Sequence, residues 1–210
     1  MSVAQMFLLS PAYCAGRRAK ILLNPGSRAE VAMRLRAGEL TLGEAFSFMS
    51  GLYFRGKLTY ATHFGRGEPG VPPVLVITPT RGLLPPDLIV NADLIREFAS
   101  VDISADDPRY HLPLERDVTA LSACLPTAAR AILLGSVATT KYVNLLARLL
   151  GARLHFPPEF IGRGDMSRGG LLLRSAKTSL ELDYDVLRAG VALKREGRPA
   201  PVAVLRPLPK

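Results

Sequence analysis

Four short apolar runs, "MFLLSP" (6–11), "VLVITP" (74–79), "ARAILLGS" (129–136) and "ARLHFPP" (152–158), end on proline or on small and hydroxylated residues. Runs of this length bounded by turn residues read as buried strands rather than helices. "VLVITP" is the clearest, being β-branched and flanked by prolines. Between the runs lie segments of helical spacing. Strands alternating with helices predict an α/β fold with three layers: a largely parallel sheet with helices on both faces, in a single domain over residues 1–194. The remaining stretch, 195–210, is rich in proline and positive charge and reads as a surface arm.

The helical segments carry their own punctuation. "AGRRAKILL" (15–23) has helical character. In "SRAEVAMRLRAGE" (27–39), Ser27 and Glu30 have the spacing of a capping box. Thr41 and Glu44 repeat that spacing at the start of residues 41–64, where Gly51 and Gly56 predict two short helices. Asn91 is placed to cap a helix over "NADLIREFASV", "DISADDPRYHLP" (102–113) reads as irregular, and "LERDVTALSACL" (114–125) reads as a helix. A further helix follows at 137–151, closed by Gly151. "FIGRGDMSRGG" (160–170) reads as a loop, and "GLLLRSA" with "LELDYDVL" as a hairpin or end strands.

Hydrophobic residues make up 48% and charged residues 21%, which excludes a disordered chain. No apolar run approaches a membrane span, and no basic residue precedes the apolar patch at the start, so a cytoplasmic protein without membrane attachment is expected. Cys14 and Cys124 are too few for a disulfide framework, and His63, His111 and His155 are scattered singly, so neither a metal nor a cofactor is expected. The net charge of +9 favours an anionic partner: nucleic acid, DNA before RNA, or a nucleotide. A generic basic surface is the plain alternative.

In parallel sheets ligands bind beyond the carboxyl ends of the strands. That rule selects "SPAYCAGRRAK", "TPTRGLL", "GSVATTKY" and "GRGDMSRGG". The first offers Ser10, Arg17, Arg18 and Lys20 for phosphate and Tyr13 for stacking on a base. Cys14 fits a small buried residue better than a nucleophile. "GSVATTKY" offers Ser136, Thr139 and Lys141 where a strand becomes a helix, although Ser136 or Thr139 equally suits a helix cap. "LYFRGKLTY" interleaves Tyr53 with Arg55 and Lys57, a pattern suited to single-stranded nucleic acid or to a core helix face. Arg81 lies in "TPTRGLL".

Arg163, Asp165 and Arg168 are candidates for the rim of an anion pocket. Asp165 is either an ion-pair partner or a carboxylate kept ionised by its arginines. The Arg-Gly-Asp tripeptide itself carries little, since three residues recur by chance.

Taken in order, "LLSPA" (8–12), "LYFRGKLTYATHF" (52–64), "VLVITPTRGLLPPDLIV" (74–90) and "LLGSVATTKYVNLL" (133–146) resemble the YaaA-type peroxide-stress proteins and related bacterial and phage domains. The resemblance implies an α/β fold related to uracil-DNA glycosylases and a tie to nucleic acids. It draws attention to Ser10, Lys20, Tyr53, Arg81, Gly82 and Tyr142, the last as a further base-stacking ring.

The leading expectation is therefore a nucleic-acid-binding protein of the glycosylase-like type. In its catalytic form Asp165 or Asp87 stabilises charge as a base or nucleoside glycosidic bond breaks. The alternatives are an enzyme acting on a nucleotide or other phosphorylated small molecule, and an interaction module without catalysis. No acid–base or nucleophile constellation is legible in the sequence, so whether the chain is an enzyme stays open.

Overall fold

A computed structural model describes residues 4–188, except 105, 138 and 139. The proposed arm at 195–210 and the candidate ligand Thr139 lie outside the described residues. The strands are β1 (Gln5–Leu9), β2 (Val74–Ile77), β3 (Leu83–Leu84), β4 (Arg130–Leu134), β5 (Leu154–Phe156) and β6 (Asp185–Val186). The helices are α1 (Arg17–Leu23), α2 (Glu30–Ala37), α3 (Leu42–Ser50), α4 (Leu52–Phe64), α5 (Ala92–Ala99), α6 (Pro108–Cys124), α7 (Thr140–Leu150) and α8 (Asp165–Thr178).

The sheet order is β3-β2-β1-β4-β5-β6. The four central strands are parallel, and the two-residue edge strands β3 and β6 run antiparallel. The chain thus has the largely parallel α/β sheet expected. Short edge strands offer few free backbone groups for pairing with another chain.

Successive side chains of a strand point to opposite faces, and β1 divides accordingly. Phe7 and Leu9 join Val74, Val76, Ile132 and Leu134 in a core with buried residues of α1 to α5 and α8. Met6 and Leu8 join Ile77, Ala131 and Leu133 in a second core with buried residues of α6 and α7. All five residues of β1 are buried, so each large apolar side chain there contributes about 1.5–3 kcal/mol.

Caps within a few residues follow the sequence. Thr41 accepts from the Glu44 backbone N–H and Glu44 reaches back to Thr41, a complete capping box. Asn91 accepts from the Leu94 N–H. The box predicted at Ser27 and Glu30 does not form. Helix α2 begins at Glu30, and Ser27 Oγ instead accepts from the Ala29 N–H.

Three larger segments differ from expectation. The stretch at 102–113, predicted irregular, enters α6 at Pro108, and the helix runs through Pro113. Tyr110, Leu114, Val118 and Leu121 pack on the sheet, and their burial outweighs the proline's cost. The "GRGDMSRGG" loop ends at Gly164, and Asp165 starts α8. "GLLLRSA" continues that helix because Leu172, Ser175 and Ala176 recur at helical spacing and are buried, leaving only Asp185–Val186 as strand.

Gly51 separates α3 from α4 as predicted, with φ of 68° and ψ of −133°. Gly56 breaks nothing. It sits where α4 crosses α8, and a Cβ there would lie 2.7 Å from the Gly169 carbonyl oxygen. Close helix approach offsets the helix-propensity cost of about 1 kcal/mol.

Candidate functional site

Chain connections leave β1 toward β2 and β4 toward β5, so the direction of winding reverses between β1 and β4. A crevice opens there beyond the carboxyl ends of the strands, where doubly wound sheets bind ligands. It is an open cleft of about 490 Å³. Ser10 follows β1 and Ser136 follows β4; α1 supplies Arg17 and Arg18, α4 supplies Tyr53 and Lys57, α7 supplies Tyr142, and α8 supplies Asp165. Tyr13 stands in the same lining, 68% exposed.

Lys57 is the unusual member. It is 1% exposed, and its Nζ donates to the Ser10 carbonyl oxygen at 2.5 Å and to Ser10 Oγ at 2.8 Å. The ammonium also lies over the rings of Tyr53 at 4.6 Å and Phe54 at 4.8 Å. Among the described residues no carboxylate forms an ion pair with it. Burial pulls its pKa down to about 7, helped by the Arg168 charge and opposed by the Asp165 charge.

The floor is fixed by hydroxyl contacts. Tyr142 Oη accepts from the Ser136 N–H at 2.9 Å and donates to the Ser136 carbonyl at 3.1 Å. Burial raises the Tyr142 pKa, and its hydrogen bond to Ser10 opposes that rise. Gly135 permits this packing, since a Cβ there would lie 2.8 Å from Tyr142 Oη and 2.9 Å from Ser10 Cβ. Tyr53 Oη is buried without a hydrogen-bond partner among the described residues. Burial raises its pKa, against the pull of Arg168.

At the rim, the Arg168 side chain is 9% exposed, and its Nε and Nη2 donate to the Phe160 carbonyl at 3.1 and 3.0 Å. Its contact with Asp165 is long, 3.5 Å, and the Asp165 side chain is 70% exposed. Arg168 therefore anchors the start of α8, and Asp165 stands at the cleft wall.

The structure thus brings Ser10, Tyr13, Arg17, Arg18, Tyr53, Lys57, Ser136, Tyr142 and Asp165 around one cleft. Of the three proposed stacking rings, Tyr53 and Tyr142 are buried and only Tyr13 presents an open surface. The other candidates stand apart from this lining. Lys141 lines a second cleft of about 410 Å³ with Cys14, whose thiol burial pushes up to about 12. Arg81 is paired with Glu97, its Nε at 2.7 Å from the carboxylate. Arg163 donates to the Glu159 carbonyl and to Ser167 Oγ. Lys20, Arg55 and Asp87 are exposed elsewhere.

The Ser10–Lys57 contact escaped sequence reading. Its one signal is a lysine inside the buried stripe Tyr53, Phe54, Tyr60, Ala61 and Phe64 of α4. Among the described residues no group of three or more His, Cys, Asp or Glu is arranged to hold a metal ion, and no helix is long and apolar enough to cross a membrane. The chain matches no family model, no curated protein and no solved structure.

Proposed function

We propose that the cleft between β1 and β4 binds a phosphorylated small molecule of the nucleotide class. The observation that carries this reading is the convergence of Arg17, Arg18, Lys57, Ser10 and Ser136 at the reversal point of the sheet, with Asp165 the one carboxylate in the lining among the described residues. Two guanidiniums suit phosphate oxygens, and Tyr13 is placed to cover an aromatic base. Two separate cores fed by alternate residues of β1 support a three-layer arrangement with this crevice at its open edge. The position of Lys20, Arg55, Arg81 and Arg163 outside the lining favours a compact ligand over a long nucleic-acid track.

Thermal unfolding against nucleoside phosphates and sugar phosphates tests this. A ligand at 100 times its Kd adds about 2.7 kcal/mol of stability. Arg17→Ala with Arg18→Ala removes the effect and Arg81→Ala keeps it. A flat response to the whole panel contradicts the reading.

One observation favours a second reading. Tyr13 is 68% exposed beside two arginines on a chain of net charge +9, an arrangement that suits a single-stranded nucleic acid presenting one base. In that case affinity falls steeply between low and physiological salt and Tyr13→Ala weakens binding. Base or glycosidic chemistry of the kind the family resemblance implies belongs to this reading.

A further inference from the structure

We infer that Ser10 Oγ is a nucleophile for phosphoryl transfer and that Lys57 Nζ is the base that takes its proton. This rests on the reading that the cleft holds a phosphorylated ligand, and it assigns that ligand a chemical fate.

The geometry is that of an activated hydroxyl. A serine becomes nucleophilic when a base lies within hydrogen-bond reach and a third group orients the pair. Here Nζ is 2.8 Å from Oγ. A neutral amine has two N–H donors and one lone pair, and both functions are matched by the same residue. As the ammonium, Nζ donates to both Ser10 oxygens; once it is neutral, one N–H keeps the carbonyl at 2.5 Å and the Ser10 hydroxyl turns to donate to the lone pair across the 2.8 Å contact. Burial strips water from the amine and outweighs the attraction of the Tyr53 and Phe54 ring faces and of the Asp165 charge for the ammonium, in line with a pKa drawn to the working range of a base. Tyr142, whose own proton goes to the Ser136 carbonyl, accepts from the Ser10 hydroxyl at rest and so holds Oγ beside Nζ until that proton turns to the amine.

Arg17 and Arg18 make phosphorus the fitting electrophile, because guanidiniums stabilise charge on its non-bridging oxygens. In the first step the Ser10 Oγ–phosphorus bond forms and the bond from phosphorus to the leaving oxygen breaks. The Oγ proton passes to Nζ, and the leaving oxygen takes a proton from solvent. In the second step water attacks phosphorus and the phosphorus–Oγ bond breaks. Lys57 returns its proton to Oγ, and the proton shed by the water goes to solvent. The sum is hydrolysis of a phosphoester, with water the only co-reactant.

A fluorophosphonate tests the pair directly, since phosphorus–oxygen bond formation expels fluoride and leaves a stable adduct. Incubation of the full chain, followed by intact-mass analysis and peptide mapping, is expected to find one adduct, on Ser10. The wild-type map decides the site without any variant. Labelling is expected to be at least about 100-fold slower in Lys57→Met, a loss of the size general-base removal produces. The wild-type rate is expected to rise as Lys57 loses its proton near pH 7. Tyr53, Tyr142, Arg17, Arg18, Asp165 and Arg168 surround the pair, and of these the phenols titrate well above that range. No adduct, an adduct on another residue, or a Lys57→Met rate equal to wild type overturns the inference. The probe carries neither base nor sugar. Labelling of Ser10 without any nucleotide response would retain the pair and remove the ligand class, and a nucleotide response without labelling would do the reverse.

Discussion

Gly56 and Gly169 form the point of contact between α4 and α8: a Cβ on Gly56 would lie 2.7 Å from the Gly169 carbonyl oxygen, and one on Gly169 would lie 2.8 Å from the Leu52 carbonyl oxygen. This crossing sets Tyr53 and Lys57 of α4 against Arg168 and Asp165 of α8, so it positions the cleft as well as the core.

Alanine at either glycine must push backbone against backbone. Gly56→Ala and Gly169→Ala are each expected to destabilise the fold by about 1–3 kcal/mol in denaturant unfolding. Gly170→Ala is the control. Its Cβ would meet only the Arg174 guanidinium, at 3.5 Å, and the better helix former adds about 0.5–1 kcal/mol.

Lys57 imposes a pH dependence of known sign. Its folded pKa of about 7 lies below the ordinary lysine value of 10.5. The unfolded chain therefore binds more protons between those values, and stability rises with pH across that window, flattening below it. Unfolding free energies of wild type and Lys57→Met, compared from pH 6 to 10, are expected to diverge in this way. Parallel curves would show that the lysine is not desolvated in the folded state.

Glu44 gives the opposite dependence at low pH. Arg34 and the Thr41 backbone hold its carboxyl down to about 2, below its ordinary value of 4.5. Its contribution is full above about pH 4.5 and is lost as pH falls toward 2. Glu44→Gln is expected to flatten that part of the acid-unfolding curve, and Thr41→Ala to cost about 0.5–2 kcal/mol at neutral pH.

The parts of this fold legible in the sequence are those whose causes are local. The caps of Thr41 and Asn91 act within three residues, and the strand runs end on their own turn residues. Distant partners set the rest. Pro108 and Pro113 look like breakers until Tyr110, Leu114 and Val118 are seen packed on the sheet. Gly56 looks like an interruption until Gly169 meets it.

The same divide runs through the site. Position after a strand selected Ser10, Arg17, Arg18 and Ser136, because strand ends are local features. That Lys57 turns inward to Ser10, 47 residues away, depends on which face of α4 meets the sheet. Arg81 was selected by the same strand-end rule, but Glu97 on α5 holds it away from the cleft. Strand-end position selects residues near the edge of the sheet; winding direction and helix packing determine which of them converge.

Gly135 separates ligand binding from global stability. It is expected that Gly135→Ala displaces Tyr142 and Ser10, because the added Cβ falls 2.8 Å from the phenol oxygen. The variant should lose any phosphate-dependent gain in melting temperature while keeping its helical circular dichroism.

The most direct measurement is a crystal structure of the protein soaked with a nucleoside monophosphate that raises its melting temperature. The phosphate is expected between β1 and β4, hydrogen-bonded to Arg17 or Arg18 and within reach of Ser10 Oγ. A phosphate bound beside Arg81, or in the second cleft with Lys141, would contradict it.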